Sequence, residues 1–262
     1  MKRDWIFSSC EAIKYLWKGK TNLYIHSPFV YDFCINVRDL PPASEAMDVR
    51  RFFDDLAREN MPVTWDHPLG GVSHSSMSKL IRRSSMSPPY GFLLNHLVKH
   101  YKAKRILELG THLGVGSSYL YAGNQLDSLI TLEGSARLTE LAFSHFNRQG
   151  FSEIQQVNGL FEVILPNILR ANSSFDLIFF DGHHDGDATY SYFLQCLPFR
   201  HSGSVFVFDD IHWSRDMHEA WKKICQHESV RISIDLYRMG IVFFREEKLR
   251  SEHFCLRYGW HF

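Results

Sequence analysis

The sequence has 262 residues, of which 45% are apolar and 15% aromatic, enough to bury one large α/β domain with an accessory segment, and this argues against disorder. Basic and acidic side chains number 29 each, so no net charge draws the protein to nucleic acid or to an anionic membrane, and we expect a small-molecule partner. The opening residues lack the apolar core of a signal peptide, and no run approaches the roughly 20 apolar residues of a membrane helix. The five cysteines stand far apart, which favours reduced thiols and a cytoplasmic location.

Helical segments separated by breakers precede Lys104. Residues 44–60 follow two prolines, and residues 87–101 place apolar side chains on one helical face. Between them, residues 61–87 are rich in Ser, Gly and His, which predicts a long loop or a lid. We therefore expect residues 1–87 to form an N-terminal helical extension with a lid-like loop.

Apolar runs alternate with helical spacing after Lys104. The runs "RILEL", "SLITLE", "EIQQV", "FDLIFFD" and "SVFVFDD" are nearly continuous in apolar residues, which is typical of a parallel sheet covered by helices on both faces. Two further runs, "SVRISIDLY" and "IVFFRE", are joined only by "RMG", and so short a connection predicts an antiparallel hairpin. We expect an α/β domain over residues 88–247 and a C-terminal tail over residues 248–262.

A glycine-spaced turn follows the first of these strands, in "RILELGTHLGVGSSYL". Gly110, Gly114 and Gly116 would let the backbone approach a ligand closely, and the following helix offers free N–H groups. Their spacing is not the dinucleotide fingerprint, although it matches the glycine pattern of short-chain dehydrogenases. A tight turn without a ligand and an NAD(P)-dependent reductase are therefore alternatives at this point.

Two acidic residues favour a cationic adenosyl ligand over a dinucleotide. Glu108 lies in the strand end before the first glycine, where it suits a cation and would repel a pyrophosphate. Glu133 ends the next strand, about 20 residues further on, where a carboxylate can accept from both ribose hydroxyls. A reductase of the short-chain type would need a Tyr followed four residues later by Lys, and none of the eleven tyrosines has that partner.

Four motifs occur in order: "ILELGTHLGVGSSYL", "TLEGS", "FDLIFFDGHH" and "SVFVFDDIHW". Together they resemble the class I S-adenosylmethionine-dependent methyltransferases, especially the O-methyltransferase-like branch that includes catechol O-methyltransferase. The resemblance covers roughly residues 90–246 and implies a Rossmann-like, doubly wound, seven-stranded sheet with an antiparallel last strand. It also implies S-adenosyl-L-methionine as cofactor and methyl transfer to a small molecule, at oxygen in this branch.

The resemblance assigns roles to individual positions. Glu108 and Gly110 would lie beside the methionine part of the cofactor, Glu133 would hold the ribose, and Gly159 would lie near the adenine. Leu160 departs from the pattern, because many relatives have an acidic or amide residue there. The implied cofactor-binding residues are Glu108, Gly110, Thr111, Gly114, Gly116, Glu133, Gly159 and Asp181.

Acidic residues and histidines follow the fourth and fifth strands, in "DGHHDGD" and "DDIHW". Open α/β sheets bind ligands at the carboxyl ends of their strands, so these side chains are candidates for the acceptor site. Residues matching Asp181, Asp209 and Asp210 hold a divalent metal in metal-dependent relatives, and Mg²⁺ there would lower the pKa of an acceptor hydroxyl. In the alternative, Asp181 only contacts the cofactor, and one of the paired aspartates caps the helix that begins near Ser214.

The catalytic prediction is His184, acting as the base that deprotonates the acceptor, with Asp181. N-terminal additions in this type of enzyme cover the acceptor pocket or build a homodimer, so the sequence does not name the substrate. A non-catalytic module that binds the cofactor remains a further alternative.

Overall fold

The structure is a computed structural model, and it describes residues 4–21, 25–67, 70–84, 86–246 and 250–259. The chain forms two units, which we call the glycine-turn unit (residues 40–171) and the aspartate unit (residues 1–39 with 172–262). These limits cut through both the N-terminal extension and the predicted α/β domain. The division of the sequence at residues 87 and 247 therefore stays a prediction.

The glycine-turn unit contains a two-stranded hairpin, a three-stranded parallel sheet and six helices among its described residues. In chain order these are α3 (Ser44–Glu59), β1 (Pro62–Asp66), β2 (Val72–Ser76), α4 (Met77–Ser84), α5 (Pro88–Tyr101), β3 (Arg105–Leu109), α6 (Val115–Tyr121), β4 (Ser128–Glu133), α7 (Ala136–Gln149), β5 (Ile154–Asn158) and α8 (Phe161–Ala171). The sheet order is β3-β4-β5, with Leu107 opposite Ile130 and Leu129 opposite Ile154. Parallel pairing places the carboxyl ends of these strands at one edge.

The segment expected to be a loop is instead a hairpin followed by a helix. Strands β1 and β2 pair antiparallel, with Val63 opposite Ser75 and Trp65 opposite Ser73. The run Val63 to Trp65 contains strand-forming residues. It is short, however, and the surrounding segment is rich in Ser, Gly and His, so the sequence did not predict a strand there. The lid-like loop of the sequence analysis is therefore corrected to an ordered β-hairpin.

The aspartate unit begins with α1 (Trp5–Lys18) and α2 (Pro28–Phe33), which continues as a π-helical turn over Cys34–Arg38. Its later elements are β6 (Leu177–Phe180), α9 (Gly186–Cys196), a 3₁₀ turn (Leu197–Phe199), β7 (Val205–Phe208), α10 (Arg215–Gln226), β8 (Ile232–Asp235), β9 (Gly240–Phe243) and β10 (Glu252–Cys255). The strand order is β10-β8-β9-β7-β6. Strand β9 runs antiparallel to both of its neighbours, β7 and β8.

The predicted fold class is confirmed: the protein is α/β and Rossmann-like, with helices at its N-terminal end. All seven strands read from the apolar runs are present, and β9 is the expected antiparallel strand. The structure adds β10, which pairs parallel with β8 inside the predicted tail. Its sequence "EHFC" lacks an apolar run, so the sequence pattern did not predict this strand. Among the described residues, no helix has both the length and the apolar content needed to span a membrane.

Candidate functional site

The glycine turn connects β3 to α6 and is fixed to the neighbouring strand. The amides of Gly110 and Thr111 donate to the carbonyl of Leu132 at 3.0 and 3.1 Å. Gly110 has φ 111° and Gly114 has φ 80°, a region that glycine adopts without steric cost. A Cβ on Gly114 would also lie 2.5 Å from the ring of Phe146. The turn therefore needs glycine at both positions for its own geometry, whatever binds there.

Glu108 is a buried acid at the end of β3, and only one of its two carboxylate oxygens has a hydrogen-bond partner among the described residues. It is 1% exposed, and its Oε2 accepts hydrogen bonds from Ser117 and, at 2.6 Å, from Thr131. Its Oε1 is buried and has no hydrogen-bond partner among the described residues. Burial raises the pKa of Glu108 to about 7, although the two hydroxyl hydrogen bonds act in the opposite direction. A cationic group placed against Oε1 would satisfy this carboxylate.

Glu133 closes β4 and holds the turn from the side. Its Oε2 accepts from the amide of His112 at 2.8 Å, and its Oε1 accepts from the amide of Ser135 at 2.9 Å. Burial raises the pKa of this carboxyl, against the effect of the backbone hydrogen bonds. Each oxygen keeps further acceptor capacity for a ligand hydroxyl. The amide of Gly159 donates to the Glu133 carbonyl at 2.9 Å, so these two predicted site residues are adjacent.

The remaining predicted residues of this unit lie in the same turn. The Thr111 hydroxyl is 2.6 Å from that of Thr131, which itself binds Glu108. Gly116 is buried in the first turn of α6. The structure thus brings the predicted set together around the carboxyl ends of β3 and β4, while its contact with a cofactor stays a prediction.

Asp66 is a residue that the sequence analysis missed. It lies at the end of β1 and accepts from the Ser135 hydroxyl at 2.8 Å and from the Arg137 amide at 3.0 Å. The hydrogen bond from the Arg137 amide is the main cause that lowers the pKa of Asp66 to about 2. The hairpin is therefore attached to the N-terminus of α7, two residues after Glu133. No sequence signal pointed to this contact, because the segment was interpreted as a loop.

Asp209 follows β7 in the aspartate unit and is bound by an arginine. Both residues of the pair are largely buried, and Arg238 Nε lies 3.0 Å from Asp209 Oδ1 while Arg238 Nη2 lies 2.8 Å from Oδ2. Burial opposes the charge of Arg238, but the carboxylates of Asp209 and Asp210 outweigh it and raise the pKa of the guanidinium. This bidentate pair balances a charge that the sequence analysis had assigned to a metal.

Asp210 connects the arginine to the predicted base. Its Oδ1 lies 3.6 Å from Arg238 Nε, and its Oδ2 lies 3.5 Å from Nδ1 of His184. The His184 ring stacks on Trp213, with the ring centroids 5.7 Å apart. His184 and Asp210 have φ values of 43° and 54°, a strained region for side chains that are not glycine, and such strain concentrates at functional sites.

The N-cap of α10 tests whether one of the paired aspartates caps this helix. The N-cap of α10 is Ser214, whose hydroxyl accepts from the Met217 amide at 3.2 Å. The alternative in which Asp209 or Asp210 caps this helix is therefore wrong. Ser214 supplies the cap because it immediately precedes the helix, and the carboxylate of Asp209 is already held by Arg238.

Asp181, Asp209 and Asp210 do not fit a divalent cation in this arrangement. A metal site needs several oxygens free to converge on one point, whereas both oxygens of Asp209 bind the guanidinium of Arg238. In the part of the chain that the structure describes, these three aspartates do not form a group with ligand atoms within 4.8 Å of one another. Magnesium at these residues stays a prediction from the sequence.

A family described as a methyltransferase domain matches residues 107–211. The catechol O-methyltransferase of Niastella koreensis is 32% identical over 130 residues, which is 48% of this chain and 58% of that protein. O-methyltransferase hkm8 of Aspergillus hancockii is 31% identical over 42% of this chain and 43% of its own length. The chain thus spans about half the length of the curated relatives it matches.

Solved structures agree with the fold. The O-methyltransferase of Bacillus cereus, in complex with SAH, has a TM-score of 0.55 and 20% identity, and the match covers 82% of this chain and 97% of that chain. The SAH-bound methyltransferase PaMTH1 of Podospora anserina has a TM-score of 0.60 and 17% identity, over 83% and 94% of the two chains. At these identities the structures support a shared fold.

Proposed function

Because the chain resembles the class I S-adenosylmethionine-dependent methyltransferases of the O-methyltransferase-like branch, we propose that it transfers a methyl group from S-adenosyl-L-methionine to an oxygen of a small molecule. One observation carries the cofactor assignment: the buried Oε1 of Glu108, beside the glycine turn, has no partner among the described residues. An isolated buried carboxylate is costly, and a cationic ligand removes that cost. A dinucleotide pyrophosphate would increase it.

The glycine-turn unit would hold the cofactor with residues that the structure brings together. Glu108 would accept from the ammonium group of the methionine part, and the backbone at Gly110 and Thr111 would lie against it. Glu133 would accept from the ribose hydroxyls with the lone pairs that the His112 and Ser135 amides leave available. Gly159, next to Glu133, would lie near the adenine. When bound, the cofactor supplies an electrophilic methyl group on a sulfonium.

The aspartate unit would supply the base. In-line methyl transfer requires alignment of the two reactants and removal of a proton from the acceptor hydroxyl. Nδ1 of His184 faces Asp210 at 3.5 Å, so Nε2 is the nitrogen that would accept this proton. The Asp210 carboxylate would then stabilise the imidazolium, while the pair of Asp209 and Arg238 keeps the segment in place. Asp181 is proposed to contact the cofactor.

The test separates this proposal from its two alternatives. Calorimetry with S-adenosylhomocysteine and, separately, with NADPH should show binding of the first ligand only; binding of NADPH alone would establish the reductase. Release of S-adenosylhomocysteine from S-adenosylmethionine in the presence of catechols and other hydroxylated aromatics then measures transfer. A His184→Ala variant that binds the cofactor with unchanged affinity but loses transfer would identify the base. A chain that binds the cofactor and transfers to none of these acceptors would favour the non-catalytic module.

Three finer points remain predictions from the sequence alone. They are magnesium at Asp181, Asp209 and Asp210, a homodimer, and a cytoplasmic location. The proposed transfer step above does not depend on any of them.

A further inference from the structure

A second group of titratable side chains lies in the aspartate unit, away from the residues proposed for methyl transfer. It consists of Glu11 on α1, His212 in the segment after β7, and His218 on α10, and we call it the two-histidine cluster. Glu11 Oε2 lies 4.0 Å from His212 Nδ1 and 3.9 Å from His218 Nε2. One ligand atom from each of the three side chains lies within 4.8 Å of the other two.

His212 directs its Nδ1 into this cluster. Its Nε2 lies 2.9 Å from Asp235 Oδ2, and Asp235 Oδ1 accepts from the Tyr237 amide at 2.8 Å. Because a carboxylate only accepts, Nε2 of His212 carries a hydrogen, and in the neutral ring Nδ1 carries the lone pair. That Nδ1 is buried, has no hydrogen-bond partner among the described residues, and faces the carboxylate of Glu11. With a neutral ring, two electron-rich atoms face each other in a buried space, which is unfavourable unless a cation lies between them.

His218 adds a second imidazole, whose Nε2 faces the carboxylate of Glu11. Its Nδ1 is also buried without a hydrogen-bond partner in the described chain, and its ring lies 4.8 Å from that of His212 between centroids. The ring of Phe7, 5.6 Å away, covers it on another side. Burial is the main cause that lowers the pKa of His218 to about 4, so its ring is neutral at pH 7. Neutral imidazole is the form that binds metals.

Glu11 has one oxygen available for a ligand. Its Oε1 accepts from Lys14 Nζ at 2.6 Å, which leaves Oε2 directed at the two histidines. Burial acts to raise the pKa of Glu11, but the hydrogen bond from Lys14 and its charge act in the opposite direction, and the pKa lies below its usual value. The carboxylate is therefore ionised at neutral pH and adds the negative charge that a divalent site requires.

We propose that Glu11, His212 and His218 bind a divalent transition-metal ion, and that Zn²⁺ is the ion this donor set fits best. Two imidazoles and one carboxylate, with the fourth position left to water, are a common zinc ligand set. Asp235 completes the pattern, because a ligating histidine usually donates its other N–H to a carboxylate. Tetrahedral ligands at bond lengths near 2.0–2.1 Å stand about 3.3–3.4 Å apart. The observed 3.9 and 4.0 Å thus require the side chains to draw together by about half an ångström on binding.

The proposed ion would connect the N-terminal helix to the rest of its unit. Glu11 is on α1, whereas His218 is on α10 and His212 lies just before that helix. The site differs in place and in donor type from the predicted magnesium site at Asp181, Asp209 and Asp210. A soft or borderline metal with nitrogen ligands and a hard metal with oxygen ligands can be distinguished by which ion binds.

The experiment uses the full untagged chain, stripped with EDTA and dialysed, and titrated with Co²⁺ as a spectroscopic substitute for Zn²⁺. We expect one Co²⁺ per chain with the strong visible absorption of a four-coordinate site, displacement of that absorption by Zn²⁺, and a rise in melting temperature with Zn²⁺ but not with the same concentration of Mg²⁺. Glu11→Gln and His218→Gln should lose the Co²⁺ spectrum. Asp235→Asn should weaken Zn²⁺ binding by about 10–100-fold.

His74→Gln is the matched control, since His74 is an exposed histidine on the hairpin and should bind Co²⁺ as the unmodified chain does. The proposal is wrong if Zn²⁺ and Co²⁺ neither bind nor change the melting temperature of the unmodified chain. It is equally wrong if folded Glu11→Gln and His218→Gln keep the Co²⁺ spectrum. If one of the variants does not fold, the other variant and Asp235→Asn still test whether the ion binds at this cluster.

Discussion

Two buried acids lie in the first and the last of the four sequence motifs, and they differ in how their charge is balanced. Glu108 in the glycine-turn unit and Asp209 in the aspartate unit are each 1% exposed. Asp209 has both oxygens bound by the guanidinium of Arg238, whereas Glu108 has only hydroxyl donors on Oε2 and no partner on Oε1 among the described residues. Burial is the same in the two places, and the difference lies in where the compensating charge comes from.

The protein itself supplies the positive charge that pairs with Asp209, whereas at Glu108 we expect a ligand to supply it. The Asp209 carboxylate needs no external cation, so its first role is to hold the connection between β8 and β9 that carries Arg238. Burial raises the pKa of the Glu108 carboxyl, and no cationic side chain among the described residues pairs with it. We therefore expect removal of the internal cation to damage the fold, and addition of a cationic ligand to stabilise the other unit.

The largest expected effect comes from removing the internal cation. Arg238→Met leaves the buried Asp209 carboxylate unpaired, and we expect the free energy of unfolding to fall by about 3–5 kcal/mol. Urea denaturation measures it, with exposed Arg170→Met as the matched control. Asp209→Asn in the Arg238→Met background should recover part of the loss, because it removes the unpaired charge. Equal stability of Arg238→Met and the unmodified protein would show that the pair does not balance this acid.

A second effect is the pH dependence of stability caused by Glu108. Its folded pKa of about 7 lies above the ordinary value of 4.5, so the folded state binds the proton more tightly than the unfolded state. The free energy of unfolding should therefore fall as pH rises from about 4.5 to about 7, by about 3 kcal/mol for this group. Denaturation at pH 5 and pH 8 should show that Glu108→Gln loses this difference while the exposed Glu140→Gln keeps it.

The same comparison predicts how the ligand acts. S-adenosylhomocysteine carries an ammonium group, so it should stabilise the protein more at pH 8 than at pH 5, because Glu108 is ionised only at the higher pH. Thermal melting at both pH values, with and without the ligand, measures this. A ligand-induced shift that is independent of pH would place the ammonium group elsewhere.

A smaller effect is expected at the ribose position. Glu133→Ala removes hydrogen bonds from a charged acceptor and should weaken S-adenosylhomocysteine binding by about 1.5–3 kcal/mol. Because Glu133 also holds the amides of His112 and Ser135, the free protein should be checked for stability by urea denaturation. Glu140→Ala, on the exposed face of α7, is the calorimetric control. Unchanged affinity in a folded Glu133→Ala protein would contradict the ribose contact.

The smallest effect is expected from Mg²⁺. Arg238 competes for Asp209, so saturating Mg²⁺ should raise the melting temperature of the S-adenosylhomocysteine-bound protein by no more than about 2 °C. Asp210→Asn and Asp181→Asn should erase any such shift while leaving the pair of Asp209 and Arg238 intact. A larger shift that both variants abolish would establish the magnesium site predicted from the sequence. If instead Mg²⁺ causes no shift and EDTA leaves methyl transfer unchanged, deprotonation is assigned to His184 alone.

Much of the fold followed from the sequence because buried parallel strands are continuous apolar runs. The stretch from Leu177 to Phe180 is apolar throughout, and the glycines at 110 and 114 mark a backbone that only they adopt easily. The hairpin strand β1 and strand β10 were missed because both are short and only partly buried, so neither has a clear apolar pattern.

Long-range pairing explains what the sequence could not reveal about the sites. Arg238 is 29 residues from Asp209 in the chain, and nothing in either motif indicates that they meet. The two-histidine cluster combines Glu11 on α1 with two residues some 200 positions later, His218 on α10 and His212 just before that helix. Local spacing identifies strands and turns, but the balance of buried charge depends on which distant segments fold together.

The contact of Asp66 with α7 makes the opening of the hairpin measurable by amide exchange. The amides of Ala136 and Arg137 have no acceptor within their helix, because they lie in its first turn, and they donate instead to the Asp66 carboxylate. Whenever the hairpin detaches, these two amides lose their acceptor and become open to solvent. Their hydrogen–deuterium exchange rates therefore report how often the hairpin opens, residue by residue and without any label attached to the hairpin.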